Sequence, residues 1–170
     1  MRADDFTERF DRLVAAPLSA VGFEPWGRSL WYERDGIGAA LKRVELRNLW
    51  PFELSLLITH TGLRDTHDRP PGTRPKNPTD YPIAIAPSDA TSLLGRRWRY
   101  RSNFGRPPSD VMIERRVDRQ LTTIATEVAR TVPAVAGVLT PVRMVDELRR
   151  HGEDAWIERR WIEDYERLSG

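Results

Sequence analysis

The sequence predicts an α+β domain: a small antiparallel sheet, a meander of three strands plus one or two more, packed with N-terminal and C-terminal helices. Two patterns carry this. Ser29 to Leu63 reads as consecutive strands, and apolar residues recur at helical spacing near both ends of the chain. No repeat or composition shift divides residues 1–170, which are expected to form a single domain.

The meander has a derivable register. Leu30-Trp31-Tyr32-Glu33 is rich in strand-favouring aromatics, and Asp35-Gly36 follows as a hairpin turn, glycine accepting the positive φ. With those two as the loop, Arg34 faces Ile37, Tyr32 faces Ala39 and Leu30 faces Leu41, while Trp31 lies on the other face opposite Ala40. Past Leu41 the apolar positions switch from odd to even, so a bulge near Lys42-Arg43 is expected. A three-residue loop then pairs Leu46 with Leu54, Val44 with Leu56 and Arg47 with Glu53.

Before the meander, Phe6, Phe10, Leu13, Val14, Leu18 and Val21 share one helical face. Asp4 or Asp5 caps its start. Pro17 is expected to kink or divide the helix. Gly22 ends it in a left-handed conformation, with Phe23 folded back on Leu18. After Leu63, residues Arg64 to Pro82 hold five prolines and read as a long irregular loop, a disordered or surface excursion. Ile83-Ala84-Ile85 reads as a short fourth strand, Ser88 to Leu94 as a helical turn capped by Ser88, and Trp98 to Arg101 as a further strand or extended edge. Pro107 to Asp110 signals a helix start. Ile113, Val117, Leu121, Ile124 and Val128 carry that helix to about Thr131, where Pro133 stops it. Thr140-Pro141 opens another helix, which Gly152 closes. A last segment from Glu153 to Leu168 places Ile157, Trp161, Tyr165 and Leu168 on one stripe.

At 170 residues the chain buries a sizeable core without staples, and it has no cysteine for a disulfide. It has no apolar run of membrane-spanning length, and Met1 to Asp5 does not resemble a signal peptide, so a cytoplasmic location and no membrane partner are expected. Net charge is only +2, and all basic residues other than Lys42 and Lys76 are arginine. Arginine suits carboxylate and phosphate recognition, although Arg-rich coding is the plainer reading.

The order of motifs resembles the bacterial domain-of-unknown-function family 4304. The similarity runs through Ala16-Pro17-Leu18, Val21-Gly22-Phe23, Gly27 to Tyr32, and Phe52-Glu53-Leu54-Ser55-Leu56. It continues in the Gly95 to Tyr100 segment, followed by a long helix and a shorter one. At Trp98 the family tends to carry an aromatic pair, which Arg99 interrupts. The resemblance implies a small antiparallel sheet with helices, and it implies no activity or catalytic residue.

Candidate chemistry is sparse. His60, Asp65, His67 and Asp68 are the one grouping with metal-ligand chemistry, but their spacing matches no established motif. They read as solvated loop residues, and no metal or cofactor is expected. His60 with Ser55 or Asp65 offers part of a hydrolytic set, without a nucleophile-elbow sequence. Arg96, Arg97, Arg99, Arg101 and Arg106 interleave with Trp98, Tyr100 and Phe104, and Arg115, Arg116 and Arg119 extend this basic region. Arginine neutralises phosphate and aromatics stack on bases. Strand alternation separates the two sets, however, and the acidic C-terminal helix is placed to mask the charge. Trp31 and Trp50 are expected to be partly exposed, as interface tryptophans often are.

The leading expectation is therefore a binding or interaction module for a protein partner, through the sheet face bearing Trp31, Arg43, Glu45, Arg47 and Glu53, or through the Pro-rich loop. Self-association through an edge strand is a variant of the same idea. The expected binding residues are Trp31, Arg43, Arg47, Trp50, Arg97, Arg99 and Arg101. Nucleic-acid binding through residues 96–106 is the alternative, and a metal-dependent hydrolase around His60 comes third.

Overall fold

The computed structural model describes residues 2–44, 52–62, 69–95, 109–151, 162–163, 165–167 and 170. The chain begins with α1, Ala3–Phe10, whose first turn is closed by the Asp5 carboxylate accepting the Arg2 amide at 3.0 Å. Pro17 has no amide proton to give. The helix is not divided by it: a π turn over Asp11–Ala15 precedes α2, Ala16–Ser19, and dihedrals stay helical through both. The Phe23 amide then bonds to the Leu18 carbonyl and the Gly22 amide to the Ser19 carbonyl, with Gly22 at φ +99°. This is the Schellman ending expected from the sequence.

The sheet runs β1 (Glu24–Trp26), β2 (Ser29–Arg34), β3 (Ile37–Val44), β4 (Glu53–His60) and β5 (Ile83–Ile85) in consecutive antiparallel order. A two-residue strand, β6 (Asp110–Val111), pairs with the start of β4. The fold is α+β, as the sequence indicates. The β2–β3 hairpin has the derived register, Leu30 with Leu41, Trp31 with Ala40 and Tyr32 with Ala39. Asp35 at φ +51° and Gly36 at φ +79° make its turn.

The next pairing differs from expectation. β3 runs without a bulge, placing Ala39 against Ile58, Leu41 against Leu56, Arg43 against Leu54 and Val44 against Glu53. Unbroken alternation aligns the apolar row without a slip, and each buried apolar side chain is worth roughly 1.5–3 kcal/mol. The consequence is that Arg43 falls at the end of the core face. There its guanidinium donates to Thr7 Oγ1 at 3.0 Å and lies 5.5 Å from the Phe10 ring centre.

Leu30, Tyr32, Ile37, Ala39, Leu41, Leu54, Leu56 and Ile58 form this main face, buried against Phe6, Phe10 and the apolar side of α3, Val117–Ala136. Phe6 stacks on Phe52 with ring centres 4.0 Å apart. α3 passes through Pro133 instead of stopping before it. A helical proline costs about 3 kcal/mol. Burying Val132 and Val135 on the same turn offsets this at roughly 1.5–3 kcal/mol each. The helix also starts later than Pro107–Asp110 suggests, because residues 110–111 are strand and Glu114–Arg116 is a 3₁₀ turn. α4, Pro141–His151, begins as expected, with Thr140 Oγ1 accepting the Arg143 amide at 3.3 Å. The expected stop at Gly152 lies outside the described residues.

The opposite face of the sheet is covered too. Trp31, Ala40, Leu57, Tyr81 and Ala84 make a second cluster under residues 69–82. This stretch, expected as an excursion from the surface, packs as a strap. Pro75 is buried, and its carbonyl accepts the Tyr81 hydroxyl at 2.7 Å. Asp80, 1% exposed, accepts the amides of Lys76 and Asn77 at 3.0 and 2.8 Å and pairs with Arg69. Lys42 donates to the Lys76 carbonyl. Among the described residues no single helix is long and apolar enough to cross a membrane.

Candidate functional site

The expected binding face is not an open one. Trp31 is 1% exposed, enclosed by Trp26 edge-on with ring centres 5.6 Å apart and by the Arg74 guanidinium 5.1 Å away. Arg43 lies on the opposite, helix-covered side of the sheet and does not accompany Trp31. Glu53 is 5% exposed. Arg47, Trp50, Arg97, Arg99 and Arg101 lie outside the described residues. A signal for the second buried face was present: Leu56-Leu57-Ile58, Leu30-Trp31-Tyr32 and Ile83-Ala84-Ile85 are continuous apolar runs, the pattern of strands buried on both sides.

His60 ends β4 on the main face, while Ser55 is on the other face, so strand alternation keeps that pair apart. The imidazole Nδ1 accepts the Gly62 amide at 3.1 Å, and burial lowers its pKa from the ordinary 6.5. Asp65, His67 and Asp68 lie outside the described residues. Among those described, no group of three His, Cys, Asp or Glu side chains is placed to hold a metal ion.

Among the described residues, a charged groove lies where β6 turns into α3. The sequence supplies this turn with an unusually well-tied frame. Asp110 accepts the Ser88 amide and hydroxyl at 2.8 and 2.7 Å through its two carboxylate oxygens. The Met112 amide donates to the Phe52 carbonyl at 2.7 Å, extending the ladder to β4. On the outer edge the Gln120 carboxamide does the work of a strand peptide: it accepts the Ile113 amide and donates to the Val111 carbonyl, both at 3.0 Å. Val111 and Ile113 point outward, 44% and 49% exposed, on either side of buried Met112.

From this frame Arg115, Arg116 and Arg119 project on one helical turn. All three are exposed, and their side chains have no ion-pair or hydrogen-bond partner among the described residues. Other arginines are spent: Arg9 on Asp118 at 2.5 Å, Arg74 on Glu24 at 2.5 Å, Arg130 on Glu127 at 2.7 Å and Arg149 on Glu166 at 2.5 Å. The three open arginines line a groove of about 730 Å³ with Arg9, Ile113, Glu114 and Asp118. A smaller cleft of about 320 Å³ adjoins it, sharing Arg116 and Arg119. The sequence reading included Arg115, Arg116 and Arg119 in a basic region; what it lacked was the Gln120 contact that fixes their approach.

Compared with family models, with curated proteins and with solved structures, the chain has no match.

Proposed function

We propose that the protein is a binding module that holds an acidic segment of a protein partner in the groove at the start of α3. The observation that carries this reading is the set of three unpaired arginines, Arg115, Arg116 and Arg119, held on a turn tied by Ser88, Phe52 and Gln120. These ties hold the backbone from which the three side chains reach, and a guanidinium takes a carboxylate in bidentate fashion. Exposed Ile113 and Val111 add apolar contact beside the charge, the mixed character of a protein interface. The resemblance to family 4304 belongs to the same proposal and adds no activity to it.

Nucleic acid fits this groove less well. The large exposed apolar side chains among the described residues are Leu94, Val111, Ile113, Val138 and Val142, none of them an aromatic on which a base can stack.

The test is fluorescence anisotropy with a labelled Glu/Asp-rich peptide, titrated with the wild-type protein and with Arg115→Glu/Arg116→Glu/Arg119→Glu. Saturable binding that weakens with salt and disappears in the triple variant is expected. Equal binding by the two proteins, or preferential binding of single-stranded RNA, would sink the reading.

A further inference from the structure

We infer that the partner segment carries an apolar side chain beside its acidic residues, and that this side chain is seated in the cleft floored by Met112 and Ile124. The inference rests on the acidic-segment reading and adds what that segment must contain. The cleft encloses about 320 Å³, at the small end of ligand pockets, and opens against the arginine groove through Arg116 and Arg119. Its floor is apolar: Met112 is 0% and Ile124 3% exposed.

The Asp110 and Gln120 side chains beside this floor are already engaged in holding the turn. Both Asp110 carboxylate oxygens accept bonds from Ser88, and the Gln120 amide is committed to Val111 and Ile113. Thr123 stands at the rim. A polar occupant loses its hydration on meeting Met112 and Ile124, whereas an aliphatic one gains by leaving water. The unpaired charges left at the mouth are Arg116 and Arg119, which the same two residues also present to the groove. A single extended segment that places a side chain in this seat thus meets the Arg116 and Arg119 guanidinium groups where the cleft adjoins the groove. Charge complementarity sets its flanks as Asp or Glu, and the size and apolar floor of the seat set its anchor as an aliphatic side chain such as Leu.

The experiment uses four labelled peptides of equal length. Three share one acidic flank and carry Leu, Ala or Gln at the centre; the fourth carries Leu with every Glu replaced by Gln. Each is titrated against the wild-type protein and against Thr123→Phe, which fills the cleft from an exposed helix position. The acidic Leu peptide is expected to bind the wild type roughly tenfold more tightly than the acidic Ala peptide, the order set by burying a few further carbons. Thr123→Phe should bring Leu down to the Ala level and leave Ala unchanged. Equal affinity for Leu, Ala and Gln on the wild-type protein overturns the inference while leaving the acidic-segment reading intact, and this arm needs no variant to fold. Binding of the neutral Leu peptide as tight as that of the acidic one, or no binding of any acidic peptide, overturns both. Tighter binding of single-stranded RNA of matched charge also overturns both.

Discussion

Gly38 lies beneath the Trp31 ring, and adding one methyl group there tests how firmly the second face of the sheet is packed. A Cβ at position 38 would come within 2.5 Å of Trp31 Cη2, 2.8 Å of Cζ2 and 3.0 Å of Thr59 Cγ2. The indole has little room to retreat. Its Nε1 donates to Glu33 at 3.1 Å, Trp26 meets it edge-on, and Arg74 lies over it. Overpacking of this kind costs ~1–3 kcal/mol. Replacing glycine within a strand returns roughly 0.5–1 kcal/mol through lower chain entropy. Gly38→Ala should therefore destabilise the protein by about 1 kcal/mol, the difference between the middles of those ranges. Urea unfolding followed by far-UV circular dichroism should show a lower midpoint at unchanged slope. In a Trp31→Phe background the colliding six-membered ring is gone, so the same change should be neutral or stabilising. The coupling between the two sites should then reach about 1 kcal/mol or more. Equal destabilisation in both backgrounds would refute the assignment of strain to the indole.

Two further outcomes concern the strap and the end of β4. Asp80→Asn keeps the side chain's shape but removes the charge that takes the Lys76 and Asn77 amides and pairs with Arg69. A loss of ~1.5–3 kcal/mol is expected, the range for hydrogen bonds to a charged group, and acrylamide should quench tryptophan emission more strongly than in the wild type. His60 is held neutral by burial, so its folded pKa lies below the unfolded value of 6.5. The unfolded chain then takes up the proton first. The stability that this histidine contributes is complete above that unfolded value and declines as pH falls toward the folded pKa. Protonation of Nδ1 also removes the acceptor of the Gly62 amide. The melting temperature should accordingly fall more between neutral and mildly acidic pH in the wild type than in His60→Asn; parallel pH profiles would contradict this.

Local chemistry made the first hairpin readable. Asp35-Gly36 has a strong turn preference, and the apolar alternation on either side of it agrees with the turn, so every pair from Leu30–Leu41 to Arg34–Ile37 follows. The β3–β4 register departs from the one expected because the switch of apolar parity from Leu41 to Val44 suggests a bulge that β3 does not have. A guanidinium sits at the end of a core row when a ring and a hydroxyl are there to receive it, and both come from α1, more than thirty residues away in sequence. Trp31 was misplaced for a related reason. Alternation gives the side of the sheet that a residue faces, but whether that side is covered depends on what Asp80 and Tyr81 do at long range. The groove was legible as composition, in Arg115, Arg116 and Arg119. Its rigidity comes from Ser88 and Gln120, whose roles as ties emerge only once β6 is paired with β4.

The two coats of the sheet also differ in how they are fastened. The helical coat shares the main core with Leu41, Leu56 and Val128, all of them fully buried, so peeling it away empties that core. The strap is fixed chiefly by side-chain bonds to its own carbonyls and amides, through Asp80, Tyr81 and Lys42. Segments held in this way form separate cooperative units that open at a fraction of the global free energy. Opening of the strap alone is expected to leave β2–β4 paired while Trp31 and Leu57 meet water. Hydrogen exchange should therefore be faster at amides bonded within the strap, such as those of Lys76 and Asn77, than at the centre of β3. Limited proteolysis is expected to nick the strap before the helical coat.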